Sequence, residues 1–331
     1  MARAWHLIRR PQGLPDPGCF ALRDVEPAPL GDGEVRIANR LLSVDPYMRG
    51  RMDDRKSYVP PFALDAPMEG GAVGEVVESR SDALPVGALA FHMAGWRDEA
   101  VVSARDARAI PADTGLPDGM WLGVLGLTGL TAWFGLLDVA QAREGDIVFV
   151  SAAAGAVGSN VVQIAKARGM RVIGSAGGEE KCAWLRSIGA DATIDYKAVG
   201  DDFGRALRDA APKGIDVYFD NVGGSQLDAA LACARPHARF ASCGMIDVYN
   251  DARPTILRAA PQIIVSRIRI AGFNAVDYLG RMDEFVAGMM PLVADGRVVS
   301  RETVTEGLDA MPGAFLGLFR GDNVGKALVR I

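Results

Sequence analysis

Asp146-Ile-Val-Phe-Val-Ser-Ala-Ala-Ala-Gly-Ala-Val-Gly158 is the stretch of sequence that decides the fold. Residues 146–150 give a short apolar run that suits a buried strand of a parallel sheet. Apolar residues then recur at helical spacing from Gly155 to Arg168, and Gly169 ends this helix before a second apolar run at Met170–Ile173. Strand, turn, helix and strand in this order predict one βαβ unit.

The turn of this unit has small residues where a nucleotide-binding turn needs them. Ala153, Gly155 and Gly158 stand at the three glycine positions of a G-x-G-x-x-G pattern. Gly155 would let the backbone approach a pyrophosphate, Gly158 would let the helix close on the strand, and the N–H groups at the helix start would hold the anion. Such a turn can also serve packing alone, but inside a βαβ unit it favours dinucleotide binding.

The end of the second strand favours NADP over NAD. An NAD-selective site usually holds an acid there, about twenty residues after the turn, for the ribose 2′-hydroxyl. Here the sequence is Gly174-Ser-Ala-Gly177, and Lys181 follows within a helix turn, as a 2′-phosphate would favour. Glu179 and Glu180 would weaken this positive field, and Lys181 also fits a solvated helix lysine.

Two kinds of sequence pattern divide the chain into domains. Up to about residue 115, short β-type runs alternate with Pro and Gly turns. From residue 146, strand-like runs alternate with helical patterns, as a doubly wound sheet requires. We predict strands at 192–196, 215–220, 238–242 and, at the sheet edge, 269–276, with helices at 179–188 and 225–234 between them.

The last strand-like run, residues 326–330, has no helix partner after it, so we expect it to return to the first domain. The prediction is an α/β protein. A β-rich catalytic domain comprises residues 1–125 and 298–331, and a Rossmann-type domain with a doubly wound parallel sheet comprises residues 126–297.

Composition sets wider limits. A chain of 331 residues predicts about two domains. Its 49% apolar and 23% charged residues exclude disorder, and a net charge of −5 without a Lys/Arg run argues against nucleic acid as a partner. The four cysteines are scattered and the N-terminus lacks a signal-peptide pattern, so we expect a cytoplasmic protein. The uncharged run between Asp118 and Asp138 contains five glycines and predicts a buried segment rather than a membrane span.

Several common chemistries find no support in the sequence. None of the six tyrosines is followed by Lys four residues later, as short-chain reductases require. The histidines His6, His92 and His237 do not cluster, and no HExxH or Cys/His spacing offers a zinc site. The serine hydrolase pattern G-x-S-x-G is absent as well.

Seven blocks, in order over nearly the whole chain, resemble one family. They are Val44-Asp-Pro-Tyr-Met-Arg49, Glu69-Gly-Gly71, Gly129-Leu-Thr-Ala132, Ala153-Ala-Gly-Ala-Val-Gly158, Ala176-Gly-Gly-Glu-Glu-Lys181, Phe219-Asp-Asn-Val-Gly-Gly224 and Gly321-Asp-Asn-Val-Gly-Lys326. They are similar to the medium-chain dehydrogenase/reductase superfamily, in its zinc-independent branch of prostaglandin reductases and alkenal double-bond reductases, which includes curcumin-reductase-like proteins. The resemblance implies a GroES-like fold for the catalytic domain.

The resemblance also implies a reaction. Zinc alcohol dehydrogenases of this superfamily carry Cys and His ligands where this chain has Asp45 and Met68, and nothing here corresponds to their four-cysteine lobe. Loss of the metal fits reduction of an activated carbon–carbon double bond, which needs a cofactor, enolate stabilisation and a proton. We therefore expect NADPH hydride to reach the β-carbon of an enone or enal, followed by protonation at the α-carbon.

Site residues follow by carrying over the family motifs. Gly155, Ala156, Val157 and Gly158 should line the pyrophosphate, and Lys181 and Tyr196 should bind the 2′-phosphate. Asn221, the loop from Cys243 to Tyr249, the run Phe273-Asn274-Ala275 as a strand, and Asn323 should surround nicotinamide and ribose. Tyr249 is the first candidate, and Tyr47 the second, for a hydrogen bond to the developing enolate oxygen. The family also implies a homodimer that pairs the strand near 269–276.

Plainer roles remain open for these residues. Tyr47 would also pack a turn, Cys243 would be a small core residue, Phe273 would belong to the sheet core, and Asn221 would serve a strand-to-helix turn. Asn274 and Ala275 replace apolar residues expected in the family, and residues 250–262 lack its Pro-rich loop, so substrate preference stays open. Two other functions stay open: a quinone oxidoreductase of the same superfamily and a non-catalytic NADPH-binding sensor or scaffold.

Overall fold

The computed structural model describes residues 1–26, 28–250 and 254–331. The chain folds into two units. The first unit joins Met1–Leu122 to Glu302–Ile331, and the second unit is Gly123–Arg301.

The elements follow the chain in three segments. The first segment contains β1 (Ala2–Leu7), β2 (Phe20–Val25), β3 (Glu34–Ser43), α1 (Tyr47–Arg51), β4 (Ala72–Ser79), β5 (Leu89–His92), β6 (Glu99–Ser103) and β7 (Arg108–Ala109). The second contains α2 (Leu127–Phe134), β8 (Ile147–Val150), α3 (Ala156–Ala167), β9 (Arg171–Ala176), α4 (Glu179–Ser187), β10 (Ala192–Asp195), α5 (Tyr196–Val199), α6 (Phe203–Ala210), β11 (Ile215–Asp220), α7 (Gly224–Ala232), β12 (Ala234–Ser242), α8 (Gln262–Val265), β13 (Arg269–Gly272) and α9 (Met282–Ala294). The last contains β14 (Glu302–Glu306), α10 (Met311–Arg320) and β15 (Lys326–Arg330).

The first unit is built on a mostly antiparallel sheet in the order β14-β15-β3-β4-β5-β7, with β6 paired to β3. β1 and β2 form a separate two-stranded sheet. Alternation along β3 sends Val35 and Ile37 into one apolar cluster. A second cluster centres on Trp96, which stacks on Phe20 at 5.8 Å between ring centroids. β15 pairs antiparallel with β3, so the C-terminal strand returns to this unit as the sequence predicts.

The second unit contains a parallel sheet in the order β10-β9-β8-β11-β12-β13. Val148 of β8 lies beside Val172 on one side and Val217 on the other, and all three are fully buried. The βαβ unit predicted around residues 146–173 is confirmed, and with it the α/β fold class. The strand order reverses at β8, because β9 and β10 lie on one side and β11 to β13 on the other. In such sheets ligands bind at the carboxyl ends of the strands on either side of this reversal.

Three predicted boundaries are wrong. β12 begins at Ala234, four residues before the predicted start and inside the helix predicted over 225–234. β9 continues to Ala176, so Gly174-Ser-Ala176 forms the end of the strand instead of following it. β13 stops at Gly272, and the run Phe273-Asn274-Ala275 is not a strand. Asn274 caps a 3₁₀ helix over Ala275–Arg281, because its side-chain oxygen accepts a hydrogen bond from the Val276 amide at 3.3 Å. A cap of this kind favours a helical turn over an extended chain.

The uncharged run before Asp138 contains a buried helix. α2 buries Thr128 to Phe134, and a π-helical turn follows at Gly135–Val139. A Cβ atom at Gly129 would lie 1.9 Å from the Val124 carbonyl oxygen, which explains a glycine inside this helix. Within the described part of the chain, no helix is long and apolar enough to cross a membrane.

Candidate active site

The turn between β8 and α3 is built by close backbone packing. A Cβ atom at Gly158 would lie 2.5 Å from the Ala152 oxygen and 2.7 Å from the Ala153 Cα atom. The left-handed conformation of the turn falls on Ala152, with φ of +44°, and not on Ala153. This explains why alanine suffices at the first position of the glycine pattern. Gly158, in contrast, is required for the helix to approach the strand.

The start of α3 offers donors for an anion. α3 begins at Ala156 after Gly155, and no described side chain caps it. The amide groups of a first helical turn have no acceptor within the helix, and the helix dipole adds positive potential there. At Gly155 a Cβ atom would have one neighbour within 4 Å, the Ala152 oxygen at 3.2 Å, so no other described group crowds this position. This cradle fits the pyrophosphate of a dinucleotide.

A buried polar network joins the carboxyl ends of β8 and β11, where the strand order reverses. The Tyr218 hydroxyl donates to Asp220 Oδ1 at 2.7 Å and also contacts Ser151 Oγ at 3.0 Å. Asn221 donates from its backbone N–H to Ser151 Oγ at 2.9 Å and from Nδ2 to the Ser151 carbonyl at 2.8 Å. Asn221 is thus held by both strands at the place expected for a ligand.

Asp220 organises the turn that follows it. Its Oδ1 accepts hydrogen bonds from the amides of Val222 at 3.0 Å and Gly223 at 2.8 Å. Its Oδ2 is buried and has no hydrogen-bond partner among the described residues. Burial raises the pKa of this carboxyl, against the effect of its hydrogen bonds. Sequence reasoning missed Ser151, Tyr218 and Asp220, although polar residues at the ends of apolar strands were a signal for them.

The predicted loop from Cys243 to Tyr249 lies beside this network. The amides of Cys243 and Gly244 donate to the Asp220 carbonyl at 2.9 and 3.1 Å. Tyr249 folds back over the loop, and its hydroxyl accepts a hydrogen bond from the Met245 amide at 3.4 Å. Desolvation, helped by the Asp220 charge, raises the pKa of the Cys243 thiol to about 12. Cys243 is therefore a neutral thiol at pH 7 and no nucleophile.

Phe273 directly follows β13, at the carboxyl ends of the strands. Its ring packs edge-to-face on Phe219 of β11, with 6.1 Å between centroids, and on Tyr278 at 6.4 Å. Packing of this kind fits the core role that the sequence left open. Asn274 and Ala275 follow it in the 3₁₀ cap described above.

Tyr196 follows β10 and turns back towards the end of β9. A Cβ atom at Gly177 would lie 2.7 Å from Tyr196 Oη and 2.9 Å from Lys197 Cε. Lys181 is half-buried in the first turn of α4, one strand away. Glu179 is paired with Arg186, and Glu180 with Arg301 at 2.9 Å. The two glutamates expected to weaken the positive potential at Lys181 therefore each form an ion pair with an arginine.

The remaining predicted residues belong to the first unit. The Tyr47 hydroxyl is buried and has no hydrogen-bond partner among the described residues. Burial and, to a lesser extent, the Asp45 carboxylate raise the pKa of Tyr47, so the hydroxyl keeps its proton. Asn323 donates from Nδ2 to the Gly325 carbonyl at 2.9 Å.

A buried ion pair stands next to Tyr47 in sequence, and sequence reasoning missed it. Lys326 is 2% exposed, and its ammonium donates to Asp45 Oδ1 at 2.9 Å, to the Val44 carbonyl at 3.0 Å and to the Ala327 carbonyl at 3.1 Å. Asp45 also accepts from the Ser43 hydroxyl. Every hydrogen-bond donor of the ammonium is used, as a buried charge requires.

The histidines have structural partners. His92 is fully buried and hydrogen-bonds to Asn39 at 2.8 Å, and burial lowers its pKa to about 4. His6 bonds to the Ala4 carbonyl at 3.0 Å. Among the side chains that the structure describes, no group of three or more His, Cys, Asp or Glu is placed to hold a metal ion.

Comparison with known proteins supplies the family. Residues 3–110 match the family described as the N-terminal domain of oxidoreductase, and residues 156–295 match the family described as zinc-binding dehydrogenase. The NADPH-dependent curcumin reductase of Escherichia coli is 40% identical over 99% of this chain and 96% of its own length. Prostaglandin reductase 1 of Bos taurus is 40% identical over 99% of both chains.

A solved structure extends this similarity to three dimensions. The crystal structure of CurA in complex with NADPH from Vibrio vulnificus has a TM-score of 0.94 and 40% identity, covering 99% of this chain and 98% of that one. The sheets, the cofactor-type turn and the full-length similarity define an oxidoreductase with a Rossmann-type unit. The chain belongs to the medium-chain dehydrogenase/reductase superfamily, in the branch of the prostaglandin reductases and curcumin reductases.

Proposed function

We propose that this protein uses NADPH to reduce the activated carbon–carbon double bond of α,β-unsaturated ketones and aldehydes. The observation that carries this proposal is the full-length similarity to reductases named for curcumin and prostaglandin, one of them NADPH-dependent by name. The uncapped start of α3 at the switch point of the sheet supports the dinucleotide, and Lys181 beside neutralised glutamates supports its 2′-phosphate.

The second unit would bind the cofactor and the first would supply the substrate domain. Backbone amides of Ala156, Val157 and Gly158, together with Gly155, would hold the pyrophosphate. Lys181 and Tyr196 would bind the 2′-phosphate. Nicotinamide and ribose would be bounded by the residues at the carboxyl ends of β11 to β13 and by the tail: Asn221, Cys243, Tyr249, Phe273, Asn274, Ala275 and Asn323.

NADPH, when bound, supplies a hydride to the β-carbon of the substrate. The carbonyl oxygen then gains negative charge as an enolate, and a proton must reach the α-carbon. Tyr249 would stabilise that oxygen by a hydrogen bond, directly or through the ribose hydroxyl, because a neutral phenol is a donor at pH 7. Tyr47 would be the second donor. Its buried hydroxyl without a protein partner supports a role towards substrate, since such a group costs free energy unless something accepts its proton.

The proposed reaction uses no metal ion. The two positions where zinc-dependent relatives carry ligands hold Asp45 and Met68 in this chain. Asp45 is bound by the Lys326 ammonium at 2.9 Å, and Met68 is fully buried in the apolar cluster around Trp96. The charge that zinc would supply beside Asp45 is thus supplied by a lysine, which supports the metal-free proposal.

We further propose a homodimer in the cytoplasm. β13 is the edge strand of the parallel sheet, and Ile264 and Val265 just before it are 82% and 64% exposed. An edge strand preceded by an exposed apolar helix turn is suited to pairing across a two-fold axis. The cysteines Cys19, Cys182, Cys233 and Cys243 are all free thiols, which supports a reducing compartment.

The proposed function is tested by following oxidation of NADPH and NADH at 340 nm with purified protein and a panel of enals, enones and quinones. We expect turnover of enones and enals with NADPH. Activity restricted to quinones would instead establish a quinone oxidoreductase. Cofactor binding without turnover of any substrate would establish a sensor or scaffold.

Tyr249→Phe tests the assignment of the enolate donor. Loss of one such donor typically costs about 100-fold in turnover, and we expect that decrease with NADPH affinity almost unchanged. Tyr278→Phe is the matched control, because Tyr278 stacks on Phe134 at 4.7 Å and should leave the rate unaltered. An unchanged rate in Tyr249→Phe would remove this residue from the mechanism.

A further inference from the structure

Gly177, Tyr196 and Lys197 form a corner at the carboxyl ends of β9 and β10, where the 2′-phosphate is proposed to bind. No sequence motif pointed to Lys197. β9 and β10 are parallel neighbours, and Ala176 pairs with Asp195, so Gly177 and Tyr196 follow the two strands side by side. A Cβ atom at Gly177 would meet Tyr196 Oη at 2.7 Å and Lys197 Cε at 2.9 Å. The aliphatic stem of Lys197 therefore crosses the Gly177 backbone and brings its end next to the Tyr196 hydroxyl.

The acids around this corner are already engaged. Asp195 Oδ1 accepts hydrogen bonds from the amides of Gly178 at 2.9 Å, Lys197 at 3.0 Å and Ala198 at 3.3 Å. These bonds, the one from Gly178 first, lower the pKa of Asp195, so it is ionised and fixed as a cap. Glu179 and Glu180 are held by Arg186 and Arg301.

Lys197 itself is exposed, and within the described part of the chain its side chain forms no ion pair. The Lys197 ammonium acts on the nearby Asp195 carboxylate through its charge and helps to lower the pKa of that carboxyl. An exposed lysine with its stem laid against backbone has less conformational freedom to lose than one extended into solvent. Its ammonium can therefore meet an anion at this corner at a lower entropic cost.

We propose that Lys197 is a second cation for the 2′-phosphate of NADPH, acting together with Lys181 and Tyr196. The inference rests on the proposed NADPH-dependent function and adds a residue that determines cofactor specificity. A 2′-phosphate carries close to two negative charges at pH 7, so two ammonium groups match it better than one. NADH has a neutral hydroxyl at the same position, so Lys197 would contribute to NADPH binding only.

The test uses two small ligands that differ only at the ribose 2′-position, titrated calorimetrically into the full chain. Adenosine 2′,5′-bisphosphate carries the extra phosphate, and adenosine 5′-monophosphate lacks it. We expect Lys197→Gln to weaken the bisphosphate about tenfold and to leave the monophosphate unchanged, because one charge-assisted contact is lost. Lys181→Gln should show the same selectivity, and Lys197→Arg should retain most of the affinity.

Lys213→Gln is the matched control. Lys213 is equally exposed in the same unit but lies just before β11, at the amino ends of the strands. The same loss of one positive charge there should change neither affinity. Equal effects of Lys213→Gln and Lys197→Gln would mean that only net charge matters, and this would overturn the proposal.

The experiment separates this inference from the proposed function. If the unmutated chain prefers the bisphosphate but Lys197→Gln keeps that preference, the Lys197 assignment fails and the NADPH assignment stands. If the unmutated chain binds both ligands equally, the NADPH assignment and the Lys197 assignment both fail. If both ligands behave as expected while enones are not reduced, Lys197 stands and the proposed reaction fails.

Discussion

The two ends of the proposed cofactor site are built in different ways. At the turn Ala152–Gly158, glycine is required because a Cβ atom would strike backbone atoms of Ala152 and Ala153. At the corner around Gly177, a Cβ atom would strike only the ends of the Tyr196 and Lys197 side chains. Backbone cannot move without moving a strand, whereas side-chain ends can rotate away. The first region is therefore set by the fold, and the second is adjustable and suited to selecting between cofactors.

Gly158→Ala should have the largest effect. The new Cβ would lie 2.5 Å from the Ala152 oxygen, so α3 must shift away from β8. We expect the free energy of unfolding to fall by about 3 kcal/mol, the upper range for overpacking. Binding of NADPH and NADH should weaken alike, because both carry the pyrophosphate. Chemical denaturation and cofactor titration measure the two effects.

Gly204→Ala is the matched control for this change. Gly204 lies in α6, where a Cβ atom would have its nearest neighbour at 3.7 Å, the end of Arg208. Alanine in such a helix position should stabilise the protein by up to about 1 kcal/mol and leave cofactor binding alone. A Gly158→Ala protein as stable as Gly204→Ala would show that the turn is not set by backbone packing.

Gly177→Ala should have a smaller and more selective effect. The Cβ would displace Tyr196 Oη and Lys197 Cε, which are far ends of side chains that can move. We expect the free energy of unfolding to change by less than about 1 kcal/mol, as for a tolerated surface change. The KM for NADPH should rise about tenfold, equivalent to about 1.4 kcal/mol, while that for NADH stays constant. Equal increases for both cofactors would contradict a side-chain corner that selects NADPH.

The same contrast explains how much of the site the sequence could predict. The turn at 151–158 was predictable because the residues that constrain one another there are close together in the sequence. The Ser151–Asp220 and Asp45–Lys326 contacts were not, since they join residues 69 and 281 positions apart. Only the strand order and the return of β15 bring these groups together.

The remaining differences between prediction and structure also have physical causes. The strand predicted through residue 276 ends at Gly272 because the Asn274 side chain caps a 3₁₀ helix. The sequence pattern did not predict the helix α9, because Pro291 lies in its interior and proline usually ends a helix. Lys197 lies beside Gly177 only because β9 and β10 are neighbours, and sequence spacing gives no sign of that.

The most direct test of the central claim traces hydrogen atoms through one turnover of a 2-alkenone. NADPH deuterated at the transferable C4 position is used in ordinary water, and ordinary NADPH is used in deuterium oxide, with the product examined by NMR. We expect deuterium from the cofactor at the β-carbon and deuterium from solvent at the α-carbon of a saturated ketone. Cofactor deuterium at the carbonyl carbon, giving an alcohol, would contradict double-bond reduction.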